Sequence, residues 1–192
     1  MVVSNFQDVP DLTGTWVLNR KLSTDPDDVF VLQGVPWVVR KVLRHARLSL
    51  QIGQTTSLSA KNGPCAERNS KEGSDLADLE QVTTLRMTQT VNPGVDGSPQ
   101  AVSLPIFGDI QMQLQFVNIS AILEDSIRLI LEVASLSNKV IQELAQNTSK
   151  GWEAEVIWGF EELDGKRYLT RHISTTKEEK KVVARMVYDG PN

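Results

Sequence analysis

The chain has one cysteine, Cys65, and two histidines, His45 and His172, among 192 residues. A single cysteine excludes an internal disulfide, and with two histidines it cannot complete a Cys/His zinc site. Basic charge is also in short supply: the formal net charge is −4, which leaves no cationic field to displace counterions from phosphates, so nucleic acid is not an expected partner. No apolar run approaches the roughly 20 residues a membrane helix needs, the nearest being Ile127–Val133 between charged neighbours, and no membrane partner is expected. The opening residues Met1–Asp11 lack the basic and apolar regions of a secretory signal, so the expected location is cytoplasmic and the triplets starting at Asn118 and Asn147 are not read as glycosylation sites. Also missing are a Gly-x-Ser-x-Gly elbow, a phosphate loop, a dinucleotide fingerprint and a glycosidase-like carboxylate pair, which argues against a hydrolase or a redox enzyme. Neither cofactor nor metal is expected.

With 40% hydrophobic and 23% charged residues, the composition is that of a globular protein, and the length suits one domain spanning residues 1–192. Thr13–Arg20 alternates as a half-buried strand. Asp25–Gly34 and Trp37–Ala46 read as a helical pair, the first opened by Pro26 and closed by Gly34, the second carrying a Val/Leu stripe opposite Arg40, Lys41, Arg44 and Arg47. The period then changes to two around Leu48–Ile52 and Leu85–Val91, with an acidic loop, Ala60–Asp78, between them. After a turn-rich stretch, Pro93–Pro105, the residues Ile110, Met112, Leu114 and Phe116 alternate with Gln111, Gln113 and Gln115. Ile122–Gln146 is divided into a strand over SIRLILEVA and a helix over SNKVIQELAQN. Trp152–Phe160, the hairpin dipeptide Asp164-Gly165, Arg167–Thr176 and Val182–Tyr188 complete a meander. The fold class expected is all-β with short helices: an antiparallel barrel of about eight strands, closed so that no edge is exposed.

Gly14-Thr-Trp16 at the start of the first strand, with an arginine on a late strand, resembles the lipocalin and calycin group. That resemblance implies a tryptophan plugging the narrow end of the barrel beneath a stacked arginine, here Arg185 or Arg171. A wider set of residues is similar to the small lipocalin-like proteins of fungal natural-product pathways: Leu12–Trp16, Leu22-Ser23, Gln33–Trp37 with Arg40-Lys41, Gly151-Trp152, Trp158–Glu161, Arg167-Tyr168 and Val187–Asp189. Some of these are pericyclases, including hetero-Diels–Alderases that join a tropolone-derived quinone methide to a humulene-type terpene. The resemblance implies a cofactor-independent cyclase performing a [4+2] cycloaddition, with dehydration to a quinone methide, on a lipophilic meroterpenoid precursor. The alternative is a lipocalin-like protein that binds a small hydrophobic ligand unchanged. An interaction module acting through the Ala60–Asp78 loop is a third class.

Met112, Leu114, Phe116, Trp158 and Phe160 are the expected apolar walls of a ligand cavity, and Trp37 is counted with them as substrate-binding. Tyr168, Thr170 and His172 share a strand face, and Tyr168 and His172, with the neutral amide of Gln89, are the expected catalytic donors to a substrate oxygen. A flipped strand instead brings Arg167, Leu169 and Arg171 inward. The expected partner is a small hydrophobic molecule; the oligomeric state is left open, a homodimer included.

Overall fold

The computed structural model describes residues 11–60, 79–87 and 94–190, with side chains for 11–54 and 94–190. Gln89, Cys65 and most of the acidic loop lie outside the described residues. In chain order the elements are β1 (Gly14–Leu18), α1 (Asp27–Leu32), α2 (Trp37–His45), β2 (Ser49–Ala60), β3 (Leu79–Met87), β4 (Gln100–Leu104), β5 (Gly108–Asn118), α3 (Asp125–Ala134), β6 (Lys139–Asn147), β7 (Trp152–Leu163), β8 (Lys166–Lys177) and β9 (Lys180–Asp189).

The nine strands form one antiparallel sheet in the order β3-β2-β1-β9-β8-β7-β6-β5-β4, curled as a half-barrel. From β1 to β3 and from β4 to β9 each strand pairs with the next along the chain, and the first pairs with the last through Val17↔Asp189 and Leu18↔Tyr188. Among the described residues the one missing ladder is between β3 and β4. The expected all-β fold with short helices and an antiparallel meander is what the structure has, and among the described residues its sheet is a half-barrel with one seam instead of a fully closed barrel. The ninth strand is β4, which lies inside the stretch that its proline and glycine content marks as a loop.

The division of Ile122–Gln146 is reversed in the structure, the helix coming first. In α3, Ile127 and Leu131 are buried one turn apart, and Glu124 accepts a hydrogen bond from the Ser126 amide at the helix start. These two side chains cover Val140 and Ile157 on the outer face of β6 and β7, and full burial of each contributes about 1.5–3 kcal/mol. Because α3 shields that face, β6 is buried on both sides, with Val140 outward and Ile141 inward. A doubly buried strand loses its alternation, and adjacent apolar residues then mimic a helical stripe.

The inward face carries the main core: Trp152, Ala154, Val156, Trp158 and Phe160 of β7, Leu169 and Ile173 of β8, Ala184, Met186 and Tyr188 of β9, and Ile110, Met112 and Leu114 of β5. Trp16 closes one end. Its Nε1 donates to the Leu12 carbonyl at 2.9 Å, its ring lies 5.5 Å from that of Phe160, and Gly190 approaches so closely that a Cβ there would stand 3.0 Å from the indole. The arginines correct the expected stacking. Arg171 lies over Trp158 at 3.9 Å and Arg167 over Phe160 at 3.6 Å, while Arg185 pairs with Glu161 on the outer face. At the other end α1 caps the sheet through Phe30, whose ring contacts Phe107, which in turn meets Trp152.

Candidate functional site

The side chains of β7 and β8 are allotted to faces by their turn. Asp164 and Gly165 both have positive φ, 52° and 74°, the conformation of a two-residue hairpin turn that matches strand twist. Leu163 therefore faces Lys166, and the register runs through Phe160↔Leu169, Trp158↔Arg171 and Val156↔Ile173. Opposed residues share a face. Since Trp158 and Phe160 point inward, so do Leu169, Arg171 and Ile173.

This corrects the placement of Tyr168 and His172, which point to the outer face with Thr170. There His172 Nε2 bonds Glu161 Oε1, and Thr170 Oγ1 donates to the same oxygen at 2.6 Å. Arg185 Nη1 lies 3.6 Å from the other carboxylate oxygen. Glu161 and His172 are 0% and 1% exposed. Burial alone would raise the Glu161 pKa, but the His172 hydrogen bond and charge, the Thr170 hydroxyl and the Arg185 charge together hold it below the usual value. Trp37 is also displaced from its expected role: it is 58% exposed on α2 and lines no interior wall.

Met112, Leu114, Phe116, Trp158 and Phe160 do lie on the inward face, and the ladder sets them in rows. One row crosses the sheet as Phe116, Ile141, Trp158, Arg171 and Met186; the next as Leu114, Glu143, Val156, Ile173 and Ala184. Within these apolar rows stands one charged group of three residues. Trp158 Nε1 donates to Glu143 Oε2 at 2.9 Å, Arg171 Nη2 lies 3.7 Å from the same oxygen, and the guanidinium covers the Trp158 ring. Glu143 is almost wholly buried, whereas the Arg171 side chain keeps 20% of its surface. Arg171 Nε and, six residues along β7 from Trp158, the Trp152 Nε1 are buried donors with no hydrogen-bond partner among the described residues. Native interiors rarely leave such groups unpaired; Arg40 Nε and Glu161 Oε2 share this state elsewhere, and on the inward face Arg171 Nε and Trp152 Nε1 are the two free to donate to an added oxygen.

Sequence reasoning passes over Glu143 because it lies in a segment assigned to a helix. Arg171 appears only as the flipped-strand alternative. Pairing outward from Asp164-Gly165 finds Arg171 opposite Trp158 directly. An open groove of about 660 Å³ lies on the opposite surface of the sheet, lined by Gln111, Gln113, Gln146, Glu153 and Lys181. It is open to solvent and mixes these polar side chains with the apolar Leu123 and Leu144. Among the described residues no cluster of three or more His, Cys, Asp or Glu side chains is arranged to hold a metal ion.

Fold and site together describe a small curled-sheet protein whose largely apolar concave face carries, among the described residues, the Glu143 carboxylate, the Arg171 guanidinium over Trp158, the exposed Arg167 over Phe160, and the unpartnered Trp152 indole. No protein-family profile matches the chain. It is 27% identical over 182 residues to the probable pericyclase scpY of Mollisia scopiformis, an alignment covering 93% of this chain and 89% of that protein. Among solved structures it is similar to a mutant of the REP1-NXSQ fatty acid transporter, at a TM-score of 0.47 and 15% identity, over 94% of this chain and 98% of the other.

Proposed function

We propose that the chain is a cofactor-independent pericyclase that performs a [4+2], hetero-Diels–Alder-type cycloaddition on a lipophilic natural-product precursor at its concave face. The observation that carries this reading is the unpartnered Arg171 Nε beside the Glu143–Trp158 bond on a largely apolar surface. The 27% identity to a probable pericyclase supports it. A cycloaddition needs no nucleophile; its barrier falls when the two reactants are held in a reactive pose and charge developing on the heterodiene oxygen is met by a fixed donor. Arg171 supplies that donor. Glu143 and the Trp158 ring fix the guanidinium, and Phe116, Leu114, Met112 and Trp158 shape the pose. Where the precursor carries a hydroxyl that must leave to form a quinone methide, Arg171 stabilises the oxygen that becomes the carbonyl as water departs.

The test incubates purified protein with a hydroxyl-bearing quinone methide precursor and a polyene, and compares rate and product stereochemistry with buffer. Acceleration with a single stereochemical outcome, lost in Arg171→Met, is the expected result. Rate and selectivity equal to buffer, with the ligand still bound, would establish the hydrophobic carrier instead.

A further inference from the structure

We propose that α2 is a docking surface for anionic lipid membranes, and this stands whether the chain transforms its ligand or only carries it. Each of the other two α-helices buries part of itself against the sheet, Val29 in α1 and both Ile127 and Leu131 in α3, whereas α2 has no buried residue at all. Trp37, Val38 and Val42 are 58%, 64% and 63% exposed. At 100° per residue, Arg44, Trp37, Lys41, His45, Val38 and Val42 follow one another around the exposed side, while Val39 and Leu43 are half-buried. Cations and apolar side chains thus alternate around one tryptophan, with Lys41 Nζ 4.0 Å from the Trp37 ring centre.

Charge chooses the occupant. No acidic residue lies in α2, and the stretch from Arg20 to Arg47 holds six Lys/Arg against three Asp in a chain whose net charge is −4. Arg40 and Arg44 pair with Asp27 and Asp25, which leaves Arg20, Lys21, Lys41 and Arg47 against Asp28 alone. An exposed helix with tryptophan and valines set among basic residues is matched by an anionic headgroup layer, into which the apolar side chains sink while the cations meet phosphates. The other exposed apolar helix lacks this complement: on α3, Leu129, Ile130 and Val133 stand beside Asp125 and Glu132, with Arg128 engaged by both acids. Location adds to the argument. Through α1, the helical pair covers the end of the sheet where Phe30, Phe107 and Trp152 meet, so a docked α2 sets that end of the apolar face against the bilayer. The sequence expectation of no membrane partner rests on the missing spanning helix and does not bear on a helix lying in the interface.

The experiment uses the full chain, without any substrate, sedimented with vesicles of phosphatidylcholine alone or mixed with phosphatidylserine. Expected is binding to the mixed vesicles only, reversed by high salt. A Lys41→Glu/Arg44→Glu variant should bind about 10-fold to 100-fold more weakly, and Val38→Ser/Val42→Ser should weaken binding while leaving the melting temperature unchanged. No sedimentation with the mixed vesicles, or binding indifferent to both variants, overturns the proposal. So does self-association in the absence of lipid that either variant abolishes, because a second copy would then cover the helix. Cycloaddition plays no part in the readout, so failure here leaves the proposed activity standing, and failure of that activity leaves this result intact.

Discussion

Two carboxylate–cation groups sit on opposite faces of the sheet where β6 to β9 run side by side. On the inward face Arg171 meets Glu143 at 3.7 Å over the Trp158 ring; on the outward face its neighbour in sequence, His172, bonds Glu161, with Arg185 at 3.6 Å. The outward group is the more deeply buried: Glu161 Oε1 accepts from Thr170 and His172, which help hold its pKa low, while Oε2 has no hydrogen-bond partner among the described residues and faces Arg185. The inward group is incomplete: its guanidinium keeps a free Nε and part of its surface. Each group has one buried polar atom without a hydrogen-bond partner, Glu161 Oε2 outside and Arg171 Nε inside, but only the inner one is a donor on a partly exposed side chain set among apolar residues, where a further molecule can reach it. Proximity of charges in sequence does not separate the two; the face does.

The comparison can be broken most forcefully from outside. His172→Ala leaves the Glu161 carboxylate buried without its main partner and should cost about 3–5 kcal/mol in urea unfolding, while folded protein retains its turnover. Lost turnover with unchanged unfolding would reverse the roles of the two faces. From inside, Arg171→Met should lower turnover by roughly 10²–10³-fold, since a preorganised donor to developing charge is worth about 2.7–4 kcal/mol, with a melting temperature close to the parent. Trp158→Phe sharpens the contrast: it removes the indole donor to Glu143, worth about 1.5–3 kcal/mol for a bond to a charged group, along with part of the ring under Arg171, and should slow turnover by roughly 10–100-fold and alter product ratios in chromatographic analysis.

The smallest effect belongs to a third pair, at the surface. Lys181 hydrogen-bonds Glu124 and, with Ser126, lowers its pKa to about 2 from the ordinary 4.5. Glu161 is likewise lowered. A carboxylate with a depressed folded-state pKa contributes stability that is complete above its unfolded value and is lost as pH falls through the folded one. Stability should therefore hold above pH 4.5 and decline toward pH 2, as followed by circular dichroism. Glu124→Gln should flatten that decline in part and cost under about 1 kcal/mol at neutral pH, because Lys181 is largely exposed.

Much of this arrangement is legible in the residues. The alternation of Trp152 through Phe160 and of Ile110 through Phe116 marks β7, β5 and their inward faces, and Pro26, Gly34 and Pro36 frame α1 and α2. Where one face alone is buried, period and position agree. The rule fails where tertiary cover intervenes: α3 buries the outer face of β6, erases its alternation and so hides Glu143. Tyr168 and His172 are a different matter. Their outward placement follows from Asp164-Gly165, because a two-residue turn dictates which residues oppose Trp158, and strand-face matching without that count gives the wrong side. Trp37 shows the limit of reading an aromatic as a wall, since its neighbours in space are cations and solvent.

The seam between β3 and β4 changes what the sheet can accommodate. A cylinder whose every strand is laddered has a girth set by its strand number and stagger, and admitting a rigid polycycle larger than that girth requires rupturing backbone hydrogen bonds. Among the described residues this sheet has two free edges, β3 and β4, so that a change of girth amounts to a change of coiling spread over eight ladders, none of which has to open.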